Sequence, residues 1–188
     1  MARNNGDFNE QLVNVIATVS PGPRVVAELG FGPGVGLAAL LRAFPDALVL
    51  GADPSPAVLR PAVKRNRGAV RAGRLRLFAG DAASLRGHGP VDVVVAVHVL
   101  YFWHDPVAAL QQAKDLLSSH GHLVLGYQLR QHMPLPAQRD FPKEGHRLYE
   151  SDDAVQEVLG RAGLNARDIV VLGDPDSPLG RVLVAEQR

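Results

Sequence analysis

Residues 25–41, VVAELGFGPGVGLAALL, pass from an apolar strand through a glycine-rich turn into an apolar helix, a succession that few architectures other than an α/β sheet accommodate. Residues 24–29 are short, apolar and β-branched at Val25 and Val26, which predicts a buried strand. Its acid, Glu28, falls near the carboxyl end, and a buried carboxylate needs a partner. Gly30, Gly32, Gly34 and Gly36 alternate with Phe31, Pro33 and Val35, so the chain can turn sharply and a ligand can approach the main chain. Pro33 suits the first turn of the helix that follows, whose free N–H groups would point at the ligand.

Spacing restricts what that ligand is. A dinucleotide turn has the form G-x-G-x-x-G/A, and from Gly30 the third place holds Val35; only the frame Gly34, Gly36, Ala39 fits, and it lies too deep in the helix. The phosphate-cradling G-x-x-x-x-G-K-[ST] frame fails because no lysine follows these glycines. A second apolar strand, residues 48–52, ends in Asp53, roughly twenty residues past the turn, where nucleoside folds place an acid for the ribose hydroxyls. A third, residues 75–79, is followed by Gly80 and Asp81, an acid placed to accept a proton from an exocyclic amine such as N6 of adenine. Each of these acids also suits a helix N-cap. Three of them at three consecutive strand ends would lie along one carboxyl edge of a parallel sheet, the edge at which α/β folds bind ligands.

On these residues the chain resembles the class I S-adenosylmethionine-dependent methyltransferases. Glu28 to Gly34 matches that family's E/D-x-G-x-G-x-G turn, Asp53 its ribose-binding acid, and Gly80-Asp81-Ala82 its adenine-side acid. Residues 91–98 (VDVVVAVH) with Val99, Leu100 and Tyr101 resemble its fourth strand and active-site exit, and residues 116–126 the helix end, glycine turn and fifth strand, with Gly121-His122 in place of the usual double glycine. The resemblance implies a seven-stranded, mostly parallel Rossmann-like sheet with helices on both faces and a C-terminal antiparallel hairpin, its last strand beside the fifth. It also implies S-adenosyl-L-methionine as cofactor, held by Glu28, Gly30, Phe31, Gly32, Gly34, Asp53, Pro54, Asp81, Ala82 and His98. Ser151 as N-cap predicts a helix over 152–162 stopped by Gly163, and residues 169–172 and 181–186 predict the hairpin strands.

At 188 residues and 46% apolar, one domain spanning 1–188 can bury a core. With no cysteine, thiol nucleophiles and sulfur metal sites are excluded, and the seven histidines show no metal-ligand spacing, so no metal is expected. The polar N-terminus lacks a targeting pattern, from which a cytoplasmic protein with no membrane partner is expected. The basic cluster over 60–76 contains no residue for base stacking and the net charge is only +1, so a solvated face is favoured over a nucleic-acid surface. Residues 1–20 predict an N-terminal helix, led by Asp7 and Glu10 as a capping box, with Phe8, Leu12, Val15, Ile16 and Val19 as its apolar stripe. It either packs on the sheet or partly covers the ligand.

For the chemistry, His98 and His104 flank an apolar group and are the candidate catalytic bases, while Tyr101, Trp103, Tyr127 and His132 are candidates for contact with a small-molecule acceptor. Residues 128–147, with three prolines and no periodicity, predict an acceptor-side loop, in which Met133 and Phe141 join His132 as candidate contacts. Two other functions stay open: a nicotinamide-dependent reductase, and a catalytically silent nucleoside-binding module of the same fold. A homodimer is compatible with any of the three.

Overall fold

The computed structural model describes residues 2–140, 147–174 and 177–188. Seven strands form one sheet in the order β3-β2-β1-β4-β5-β7-β6. They are β1 (Val25–Leu29), β2 (Leu48–Asp53), β3 (Leu75–Ala79), β4 (Val91–Val97), β5 (Leu117–Tyr127), β6 (Leu164–Asp174) and β7 (Ser177–Gln187). The first five pair in parallel, while β7 runs antiparallel to both β5 and β6. The helices are α1 (Ala2–Val19), α2 (Val35–Ala43), α3 (Leu59–Arg65), α4 (Arg67–Arg71), α5 (Pro106–Leu116), α6 (Leu135–Asp140) and α7 (Asp152–Arg161).

Strand β4 shows why the sheet holds. Val93, Val94, Val95 and Ala96 are all buried, because successive side chains enter cores on opposite faces. Val94 and Ala96 join the face covered by α5 and α7, packing with Leu50, Leu110, Leu125 and Leu159. Val93 and Val95 join the other, where Phe8, Leu12 and Ile16 of α1 and Leu37 and Leu40 of α2 converge. Glu28 has the same parity on β1 as Val26, which packs on this second face, and so it points beneath α2.

Several boundaries differ from expectation. Helix α1 already runs through Asp7, so the proposed capping box lies inside the helix; of its expected apolar stripe, Phe8, Leu12, Val15 and Ile16 pack into the core beneath the sheet, while Val19 is not part of that cluster. Pro33 is not in the first turn of α2, which starts at Val35 after Gly34, whose φ of 79° is left-handed and open to glycine at little cost. The hairpin strands extend to 11 residues each, because β7 is paired on both sides and its ladder propagates into polar flanks such as Asn165 and Asp168. The stretch expected as a loop over 128–147 holds a 3-10 turn at Arg130–His132 and helix α6, while Phe141 lies outside the described residues. Ser151 caps α7 as expected, its hydroxyl accepting from the Ala154 N–H.

Candidate active site

All strands from β1 to β5 end on one side of the molecule, and one continuous cavity of about 890 Å³ opens over those ends. That volume is near the top of the range for small-molecule sites, roughly 300–1,000 Å³, and leaves room for a nucleoside-sized ligand and a second small molecule. Sheet order divides the cavity. Over β1, β2 and β3 lie the glycine turn and the three acids; over β4, β5 and the start of β7 lie Val99, Tyr101, Phe102, Trp103, Met133 and Leu179.

Glu28, Gly30, Phe31, Gly32, Asp53, Pro54, Asp81, Ala82 and His98 all line this cavity. Asp53 Oδ2 accepts from the Gly32 N–H at 2.9 Å and Oδ1 from the Ser55 N–H at 2.9 Å. Each oxygen keeps a further lone pair, so one carboxylate both clamps the turn and can accept two more hydrogen bonds. Asp81 caps the 3-10 turn after it through the Ala83 N–H at 3.0 Å and still faces the cavity. Capping and ligand binding are therefore compatible at this position.

Glu28 is 4% exposed, and its Oε2 has no hydrogen-bond partner among the described residues. Burial, and secondarily the Asp53 charge, raises its pKa from the ordinary 4.5 to about 8. The space that admits it exists because residue 36 is glycine: a Cβ there would sit 2.2 Å from Glu28 Oε1. An orphaned acid beneath a helix N-terminus, facing a cavity, is matched by a cationic ligand group.

Gly34 is turned away from the cavity. Its Cα faces Ala62 and Asn66, and its carbonyl accepts from Asn66 Nδ2 at 3.0 Å. Asn66, itself buried, also donates to the Ala62 carbonyl, while Arg65 Nε donates to the Pro33 carbonyl at 3.0 Å. The end of α3, within the basic cluster, thus braces the turn from behind. No local pattern announces such a contact across 32 positions.

His98 stands where the two halves meet. It has the left-handed φ of 54°, unique to it among the described non-glycine residues, and its backbone N–H donates to the Gly126 carbonyl at 2.8 Å. Its ring packs against Phe8 at a tilt of 44° with centroids 4.9 Å apart, and burial lowers its pKa to about 4, so the imidazole is neutral at pH 7. His104 lies exposed on the cavity wall, just before Asp105, whose carboxylate caps α5.

Tyr101, Trp103 and His132 also line the cavity, as does Met133. Tyr101 spends its hydroxyl on the Gln128 backbone, which fixes the phenol rather than offering it to a ligand. Tyr127 does not reach the cavity: it is fully buried, with its hydroxyl donating to Asp152 Oδ1 at 2.6 Å, and Asp152 Oδ2 accepts from Arg181 Nε at 3.1 Å. Strand parity explains the difference, since residue 127 points into the α7 core rather than over the strand end. Asn9 was not anticipated. It is 6% exposed and lines the cavity beside Glu28. The available signal was a polar residue next to Phe8, three before Leu12, inside an otherwise apolar stripe.

Among the described residues no cluster of His, Asp or Glu could hold a metal ion, and no helix is long and apolar enough to cross a membrane.

A sequence profile described as a methyltransferase domain matches residues 27–123. A curated relative from Methylobacterium radiotolerans, described as trans-aconitate 2-methyltransferase, is 34% identical over 117 residues, covering 62% of this chain and 42% of its own length. A second with the same description, from Methylobacterium nodulans, is 31% identical over 103 residues, covering 55% and 38%. The chain thus matches less than half the length of either relative. Among solved structures, a mitomycin 7-O-methyltransferase aligns with a TM-score of 0.76 and 20% identity over 96% of this chain and 54% of its own. Magnesium protoporphyrin IX methyltransferase from Synechocystis, with bound SAM, aligns with a TM-score of 0.71 and 18% identity over 98% and 80%. These two likenesses speak for the fold.

Proposed function

This chain belongs to the methyltransferase-domain family of class I S-adenosylmethionine-dependent enzymes, and on that premise we propose that it transfers a methyl group from S-adenosylmethionine to a small-molecule acceptor. The observation that carries the proposal is the row Glu28, Asp53 and Asp81 on the wall of one cavity, with the glycine turn between the first two. In this proposal the orphaned Glu28 meets the cofactor's ammonium, the spare lone pairs of Asp53 meet the ribose hydroxyls, and Asp81 with Ala82 borders the adenine. Gly32 leaves open space in front of the turn, where an added Cβ would meet nothing within 4 Å, so main chain and ligand can approach closely.

When bound, the cofactor supplies a methyl group already activated by its sulfonium, so the protein needs chiefly to position and to exclude water. Phe31 and Val99, with Tyr101, supply the apolar walls. His98, neutral and held by Phe8 and the Gly126 carbonyl, borders both halves and offers a nitrogen to the acceptor without adding a charge. Its low pKa makes it a weak base, so His104 is the better candidate to take a proton from a hydroxyl acceptor. A cytoplasmic setting belongs to the same proposal, since a charged sulfonium cofactor does not cross membranes unaided.

The test is calorimetric titration with S-adenosylhomocysteine and with NADH, followed by methyl transfer from labelled cofactor to an acceptor panel. Saturable binding of the homocysteine compound but not NADH, with label in an acceptor, is the expected result. Failure of S-adenosylhomocysteine to bind would overturn the proposal; binding with no turnover across the panel would leave a silent module in its place.

A further inference from the structure

The half of the cavity over β4 and β5 has a composition that selects among acceptors. Its walls are Val99, Tyr101, Phe102 and Trp103 from the β4 exit and Met133 and Ala137 from the segment after β5. Among the described residues, none that lines any part of the cavity is Lys or Arg, whereas Glu28, Asp53, Asp81 and Asp105 all do. Two of the polar groups of this half are engaged, the Tyr101 hydroxyl with the Gln128 main chain and Asp105 Oδ1 with the Ala108 N–H, and its remaining polar side chains, among them His104, Gln112 and His132, include no lysine or arginine. Phe102, on this wall, is 46% exposed, and Leu135, between the lining residues Pro134 and Ala137, is 75% exposed.

From this we infer that the acceptor subsite takes an uncharged, flat, aromatic molecule and rejects polycarboxylates; the inference rests on the methyltransferase reading above. An aromatic ring gains dispersion and quadrupole contacts from Trp103, Phe102 and the Met133 sulfur, and gives up little hydration on entering. A tricarboxylate would bring several negative charges into a cavity already lined by acids, with no lysine or arginine among the described lining residues to receive them, and would lose hydration that the few histidines there repay only in part. The description shared by the two curated relatives does not decide the matter for this chain. The family match ends at residue 123, and Gln128, Met133, Ala137 and Leu179, which complete this wall, lie beyond it.

Trp103, the sole tryptophan, makes the test direct. The protein is saturated with S-adenosylhomocysteine and titrated separately with 2-naphthol and with trans-aconitate, by calorimetry and by Trp103 emission excited beyond the naphthol's main absorption. Naphthol should bind saturably and alter the emission, while trans-aconitate at the same concentrations should do neither. Trp103→Ala should weaken naphthol at least about tenfold and Trp103→Phe, which keeps a flat apolar face, by less than about threefold, with S-adenosylhomocysteine affinity unchanged in both. If Trp103→Ala does not fold, the emission titration of the unaltered protein decides. Trans-aconitate binding more tightly than naphthol, or naphthol binding without any effect on Trp103, overturns the inference and leaves the methyltransferase proposal standing. Loss of S-adenosylhomocysteine binding in the unaltered protein takes down both.

Discussion

Over β1, β2 and β3 the cavity is walled by main chain and carboxylates held within the sheet, whereas over β4 and β5 it is walled by apolar side chains carried on a 3-10 turn, a short helix and the segments joining them. The first half is coupled to the fold at every point. Asp53 holds Gly32, Asn66 holds Gly34, and Glu28 occupies the space left by Gly36. The second half hangs from the same strand ends but contributes less to the core: Phe102 on its wall is exposed, as is Leu135 between the lining residues Pro134 and Ala137. Changes in one half should therefore disturb binding and stability together, while changes at the other's rim should alter acceptor choice alone.

The largest expected effect concerns Glu28. Its folded pKa of about 8 lies above the ordinary 4.5, so between those values the folded protein holds one proton more than the unfolded chain. The stabilisation is complete below about pH 4.5 and is lost as pH rises through 8, at up to about 1.4 kcal/mol per pH unit. Thermal unfolding of the ligand-free protein should show this decline from this residue, and Glu28→Gln should flatten it; equal slopes in the two proteins would mean that Glu28 is already ionised. Next, Asp53→Ala should weaken S-adenosylhomocysteine by about 1.5 to 3 kcal/mol, read by calorimetry, because charge-assisted bonds to ligand and turn are lost together. An affinity within a factor of about two of the parent would detach this residue from the site.

Asn66→Ala should cost about 1 to 2 kcal/mol in denaturant unfolding, since the Gly34 carbonyl loses its buried donor, and should weaken S-adenosylhomocysteine by a smaller factor through the loosened turn. The smallest change is expected in the other half. Leu135→Ser should leave stability within about 0.5 kcal/mol and S-adenosylhomocysteine affinity unaltered, because the side chain is mostly in solvent. A marked loss of cofactor affinity there would erase the proposed independence of the two halves.

Much of the first half was legible along the chain because its signals are local. An apolar run ending in an acid, followed by glycine or by an N-cap pattern, depends on residues within a few positions of each other, and the strand ends at Glu28, Asp53 and Asp81 repeat it three times. Ser151 as the cap of α7 was legible for the same reason. Tyr127 misled because an aromatic after an apolar strand looks alike whether it faces the cavity or the core; only its bond to Asp152 reveals which. Asn66 was silent because it acts on a partner distant in sequence, Asn9 because only the packing of α1 brings it to the cavity, and α6 because a proline-containing segment carries little helical periodicity.

The strand segments, their burial and the carboxylate row at their ends follow from the sequence itself, since hydrophobic period and turn chemistry act over short distances, whereas the sheet architecture was implied only by the family resemblance. What the tertiary structure alone decided is which side chains share the cavity: that Asn9 enters it, that Tyr127 and Gly34 leave it, and that no described cation faces the acceptor half. Those outcomes depend on how distant segments pack around one another, where a single turn of a helix or the parity of one strand residue moves a side chain from the site to the core.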